Sequence, residues 1–71
     1  MLVGLKQSKR AVEAGEVELA YVAYDADDVV VGSFLSLCHK NRVNVDRGYD
    51  MKTLAKLCKV EVPTAVAVNL H

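Results

Sequence analysis

Two short runs of β-forming apolar residues, far apart in the chain, limit what it can fold into. Val17-Glu18-Leu19-Ala20-Tyr21-Val22-Ala23-Tyr24 is bounded by Gly15 on one side and Asp25-Ala26-Asp27-Asp28 on the other. Thr64-Ala65-Val66-Ala67-Val68-Asn69-Leu70 is equally continuous. Runs of this length, rich in valine and nearly free of alternation, read as strands covered on both faces. Something amphipathic must cover them, and the intervening sequence supplies it.

Residues 4–14 read as a helix that stops at Gly15, where a left-handed C-terminal residue is wanted. Leu5 and Val12 lie seven apart on a core-facing side, and Lys6, Lys9 and Arg10 share another. Val31, Phe34, Leu35 and Cys38 follow helical spacing after an Asp27 or Asp28 cap, and Asn41 or Arg42 ends that helix. The Val29-Val30-Val31-Gly32 start is poor in helix propensity. Val43-Asn44-Val45-Asp46 alternates as a short, half-exposed strand, and Arg47-Gly48-Tyr49 turns the chain. Asp50 caps a third helix that points Met51, Leu54, Leu57 and Cys58 inward and leaves Lys52, Lys56 and Lys59 outside. Leu2-Val3 adds a possible edge strand. Helices alternating with buried strands must cover both sides of a sheet. The expected fold is a three-layer α/β/α sandwich, with a small mixed sheet of three to four strands, in a single domain spanning residues 1–71.

Composition narrows the function classes. The chain is 52% apolar, which suits a globular domain, and no apolar run approaches the ~20 residues of a membrane span. The basic, acid-free N-terminus carries no signal-peptide h-region, so a cytoplasmic protein is expected. Cys38 and Cys58 fall on apolar helical faces and read as buried thiols. His39 and His71 stand alone, so neither a metal site nor a cofactor is expected. Asp25, Asp27 and Asp28 sit at a strand-to-helix junction, where capping and solvation account for them. Ser33 and Ser36 have no nucleophile-elbow setting, and no glycine-rich phosphate loop exists. No enzymatic activity is expected.

The net charge is zero, yet the charge is segregated. Residues 1–12 carry Lys6, Lys9 and Arg10 and no acid; residues 13–28 carry only acids; basic residues prevail after residue 39. Attraction for a polyanion follows the local field rather than the sum. A helix start with Gly4, Lys6, Gln7 and Arg10 can hold phosphates or read guanine edges, and it can equally be a solvated basic face. Lys59-Val60-Glu61-Val62-Pro63 places apolar side chains in a connecting loop, either packed on the sheet end or laid over an unstacked base. Tyr21, Tyr24 and Tyr49 could stack on bases, but Tyr21 and Tyr24 point to opposite strand faces, so at least one belongs to the core.

The run Gly4-x-Lys6-Gln7-Ser8-x-Arg10-Ala11 resembles the helix start of the kink-turn RNA-binding ribosomal proteins, the L-seven-Ae and L-thirty-e group. Leu54-Ala55-Lys56-Leu57-Cys58-Lys59-Val60-Glu61-Val62-Pro63 is similar to that family's second signature, and Asp25-Ala26-Asp27 after the strand fits its pattern. The likeness is greatest to the short bacterial members. It implies a non-catalytic, ribosomal-protein-like domain that binds a kinked RNA at one end. Gly4, Lys6, Gln7 and Arg10 would enter the groove beside tandem sheared G·A pairs. Val60, Glu61 and Val62 would meet an extruded nucleotide, and Lys59 would offer a phosphate contact. Three departures stand out. The family's first helix and fuller first strand are lacking before Gly4; Lys59 replaces a common glycine; Lys9-Arg10 replaces an apolar-lysine pair. The expected partner is kink-turn RNA, with ribosomal RNA as one source, bound by a monomer, with dimerisation through the shortened N-terminal side as the alternative. Two other readings keep the fold: a protein-interaction or assembly module, and the RNA-recognition domain of an RNA-modifying enzyme.

Overall fold

A computed structural model describes residues 1–71. The order is β1 (Leu2–Val3), α1 (Leu5–Glu13), β2 (Val17–Val22), α2 (Asp28–Lys40), β3 (Val45–Asp46), α3 (Met51–Leu57) and β4 (Val66–Leu70). The strands form one mixed sheet in the order β1-β4-β2-β3. β4 runs antiparallel to both β1 and β2, and β2 pairs with β3 in parallel. No helix is long and apolar enough to cross a membrane.

Register assigns the layers. Ala20 faces Val68 and Val22 faces Val66, and Leu2 also lies opposite Val68. Directly opposed residues share a sheet face, so these form one apolar surface. α1 and α2 pack on each other against it, burying Val12, Val31, Phe34 and Cys38 completely. Tyr21, Ala67 and Val3 define the other face. There α3 lies near Tyr21, and burial, followed by the neighbouring Tyr49 and Asp46, raises the Tyr21 phenol above its ordinary pKa. The three expected layers are present, but they are unequal.

That inequality corrects two expectations. β2 is not covered on both sides: Leu19 and Tyr21 are half-buried, because a helix of only seven residues shields their face, and Glu18 is exposed where the register with β4 shifts between Val17 and Leu19. Leu57, expected inward, is 42% exposed. α3 is too short for a full apolar stripe, and Leu54 and Ala55 fill its buried positions instead.

All three helices end alike. At α1, Glu16 N–H donates to the Ala11 carbonyl and Gly15 N–H to Val12. At α2 the pairs are Val43 to Cys38 and Arg42 to His39; at α3, Val60 to Ala55 and Lys59 to Lys56. This is the Schellman arrangement, which needs a left-handed residue after the cap. Gly15 fills it at φ 73°, but Arg42 and Lys59 adopt φ 58° and 59°. A side chain there costs about 1–2 kcal/mol. Lys59→Gly is therefore expected to raise folding stability by about 1 kcal/mol in urea titrations, with the same hydrogen bonds retained.

Cys38 is fully buried, and desolvation pushes its thiol up to about 11. Cys58 is only partly buried, with its Sγ 3.2 Å from Met1 Sδ, and both cysteines are free. A thiol reagent should modify one cysteine of the native protein, Cys58, and reach Cys38 only on unfolding; mass spectrometry over time distinguishes the two.

Candidate nucleic-acid interface

One end of the sheet gathers all three helix N-termini. Gly4 N–H donates to the Val66 carbonyl at 3.0 Å, which sets the start of α1 beside the start of β4. Ala23, just past β2, donates to Ala65 at 2.9 Å, and Asp27 follows to cap α2. Tyr24 N–H donates to the Tyr49 carbonyl at 3.0 Å, and Met51 N–H to Asp25 Oδ1 at 2.9 Å, which brings the α3 start to the same place.

Two of these helix starts are neutralised by their own side chains. Asp27 Oδ1 accepts from Val29 N–H at 2.8 Å, with Asp28 in the first turn. Asp50 Oδ1 accepts from Thr53 N–H at 2.7 Å. Bonding to Thr53, with Lys52 and Lys56 nearby, holds the Asp50 carboxyl below its ordinary range. A depressed native pKa means the stabilisation is present above the unfolded value and is lost as pH falls through the lower, folded one.

The start of α1 is different. Its N-cap is Gly4, with no side-chain cap bond and no acid in the first turn. The amides of Leu5, Lys6 and Gln7 have no acceptor within the chain, as expected for a helix start without a cap. Lys6 puts a cation where the helix dipole is already positive, which is unfavourable. Gly4 has φ 104°, a conformation that side chains rarely adopt, and its missing Cβ would face open space. Lys6, Gln7 and Arg10 are all exposed, while Ser8, Ala11 and Val12 anchor the helix in the core. Ser8 Oγ is buried without a hydrogen-bond partner. Ser8→Ala should thus stabilise the fold by about 1 kcal/mol in thermal denaturation, since an orphaned buried hydroxyl is costly.

The second motif forms the return from α3 to β4. Thr64 N–H donates to the Met51 carbonyl at 3.2 Å, so residues 59–64 run back along α3. Between them and Lys52, Ala55 and Lys56 lies a cleft of about 390 Å³. Val60 is half-buried on the helix, but Val62 is 65% exposed, more than packing on the sheet end would leave. A second, shallower cleft of about 340 Å³ runs along α1, lined by Gln7 and Arg10 with Leu2 and Glu16. Each concavity of the molecule therefore carries side chains of one sequence motif.

Gly4, Lys6 and Gln7 are drawn to the sheet end that Pro63 leads into. Lys59 is not: it follows α3, about 10 Å along the helix from its start, toward the Met1 side. The missing cap of α1 is a further signal for this site. It was readable in the absence of Ser, Thr, Asp or Asn before Leu5.

Fold and site together define a small α/β sandwich with an unneutralised helix start and an apolar loop at one end of its sheet. The profile of the ribosomal protein L7Ae/L30e/S12e/Gadd45 family matches residues 1–70, and the chain belongs to that family. It is similar to the RNA-binding protein YbxF of Geobacillus stearothermophilus, 33% identical over all of this chain and 87% of the relative. It is also similar to an RNA-binding protein of Bacillus pumilus, 34% identical over 99% of this chain and 87% of the relative. Among solved structures, the Giardia lamblia 15.5kD RNA binding protein superposes with a TM-score of 0.88 and 28% identity. That match covers 97% of this chain and 58% of the Giardia chain.

Proposed function

We propose that this chain is a non-catalytic RNA-binding protein that recognises kink-turn RNA. The observation that carries the reading is the start of α1. It lacks the carboxylate cap that Asp27 and Asp50 give α2 and α3, so no group of the chain offsets Lys6 at the positive end of the dipole. Departures of this kind collect at functional sites. An RNA phosphate would satisfy the free amides and the dipole together. Lys6 and Gln7 would then face the guanine edges of the G·A pairs, with Arg10 bridging to the backbone. Exposed Val62, with Val60 and Glu61, would cover an extruded base. Lys59 adds a cation farther along. The names of the bacterial and Giardia relatives support the RNA partner.

The test is a titration against a kink-turn RNA and a control in which the G·A pairs are replaced by Watson–Crick pairs. Preference for the kink-turn is expected. With about three phosphates neutralised, log K should fall by roughly 2–3 per tenfold rise in salt. Equal affinity for the two RNAs would sink specific recognition.

A second reading is favoured by a different surface. Met1 and Leu57, 50% and 42% exposed, flank the thinly covered α3 face near Cys58. Self-association there would bury them, and sedimentation across a dilution series tests it: a single monomeric species at every concentration excludes it.

A further inference from the structure

The two motifs leave one exposed aromatic at the same sheet end unused. Tyr21 and Tyr49 pack edge to face with centroids 5.9 Å apart. Tyr24, the third tyrosine, is 60% exposed. Its mount is rigid. Ala23 N–H donates to Ala65, Tyr24 N–H to Tyr49, and Ala26 N–H to Ala23 at 3.3 Å. Val66, next to Ala65, accepts from Gly4. Gly4, Val66 and Ala23 thus form a row across three adjacent segments, and Tyr24 stands about two strand spacings, ~10 Å, from the start of α1.

The surroundings select the ligand. Asp25, Asp27 and Asp28 are exposed beside Tyr24 in sequence, so phosphate is repelled there. Val29, 88% exposed, and Val30 add apolar surface. A rigid aromatic with apolar neighbours and a carboxylate rim suits an uncharged flat group whose own phosphate lies elsewhere. An unpaired base has that chemistry when its backbone rests on the basic side of the interface.

We propose that Tyr24 is a stacking platform for an unpaired base of the bound RNA, outside both motifs and next to the groove-contacting helix start. The proposal rests on the RNA-binding reading above. The ring contributes little to the core, so its removal leaves the fold intact and its effect is read in binding.

The experiment is fluorescence anisotropy with wild type, Tyr24→Phe, Tyr24→Ala and Lys6→Ala. The probes are the kink-turn RNA and versions carrying an abasic residue at each unpaired position in turn. Tyr24→Ala should weaken binding about tenfold, within what stacking of one base supplies, while its unfolding midpoint stays that of wild type. Tyr24→Phe should bind within about twofold of wild type, because stacking needs the ring and not the hydroxyl. The alanine penalty should vanish on the RNA that is abasic at the stacked position. If Tyr24→Ala binds as wild type while Lys6→Ala loses affinity, stacking is overturned and the RNA reading stands. An alanine penalty undiminished on every abasic RNA also overturns it. If neither variant loses affinity and the control lacking G·A pairs binds equally, the RNA reading itself fails.

Discussion

Phe34→Ala is expected to remove about 3–5 kcal/mol of folding stability, the cost of deleting a large buried ring from a core that closes only partly behind it. Phe34 is wholly buried and is the only phenylalanine in the chain. It lies in the middle of α2, in the cluster that includes Val12, Val31, Cys38, Val66 and Val68. A domain of 71 residues holds roughly 4–10 kcal/mol in all, so the substitution takes a large part of the whole. Urea titration should show the midpoint falling steeply, and much of the protein should be unfolded at physiological temperature. Val29→Ala on the same helix is the control. Val29 is 88% exposed, and its loss should stay within about 0.5 kcal/mol. If the two variants proved equally stable, α2 would be packed on a different face.

That contrast also shows how far the fold was legible. Val29, Val30 and Val31 are alike in composition; only spacing from Phe34 and Cys38 marks Val31 as the inward one, and it is fully buried. The Asp50 cap, the Gly15 stop and the edge strand at Leu2–Val3 followed from local rules that tertiary contacts did not override. Leu57 failed because fewer than two full turns of α3 give periodicity little to average. Cys58, beside Met1, is covered more than Leu57. The left-handed turn at Arg42 was hidden for another reason: glycine is the usual signal, and here a basic side chain near a helix C-terminus takes its place; at Lys59 only the family resemblance pointed to a glycine position.

The candidate residues could be named from the sequence, but their arrangement in space could not. Nothing in the sequence links Gly4 to Val66; the pairing of β1 with β4 does, and it brings the two motifs to one end. The same fold separates Lys59 from the rest, because a charge on the far end of α3 cannot be judged from its distance along the chain. Tyr24 was assigned to the end of a strand, yet β2 stops at Val22. The turn that follows leaves Tyr24 exposed.

The second large effect is on binding. Replacing Lys6 and Arg10 together with alanine is expected to weaken kink-turn affinity by roughly 10²–10³-fold. Each charge-assisted contact to a guanine edge or phosphate supplies about 1–3 kcal/mol. The two residues stand one helical turn apart on an exposed face, so their losses are coupled and the sum is an upper bound. The salt slope should fall by up to about two units as two cations leave the interface. Stability should move the other way, or not at all. Alanine is a better helix former, and removing Lys6 relieves a cation at the positive end of α1, while the anchors Ser8, Ala11 and Val12 are untouched. A variant that folds better and binds far worse separates recognition from structure. If affinity instead followed stability, the basic face of α1 would be solvated surface, and the RNA interface would lie elsewhere on the molecule.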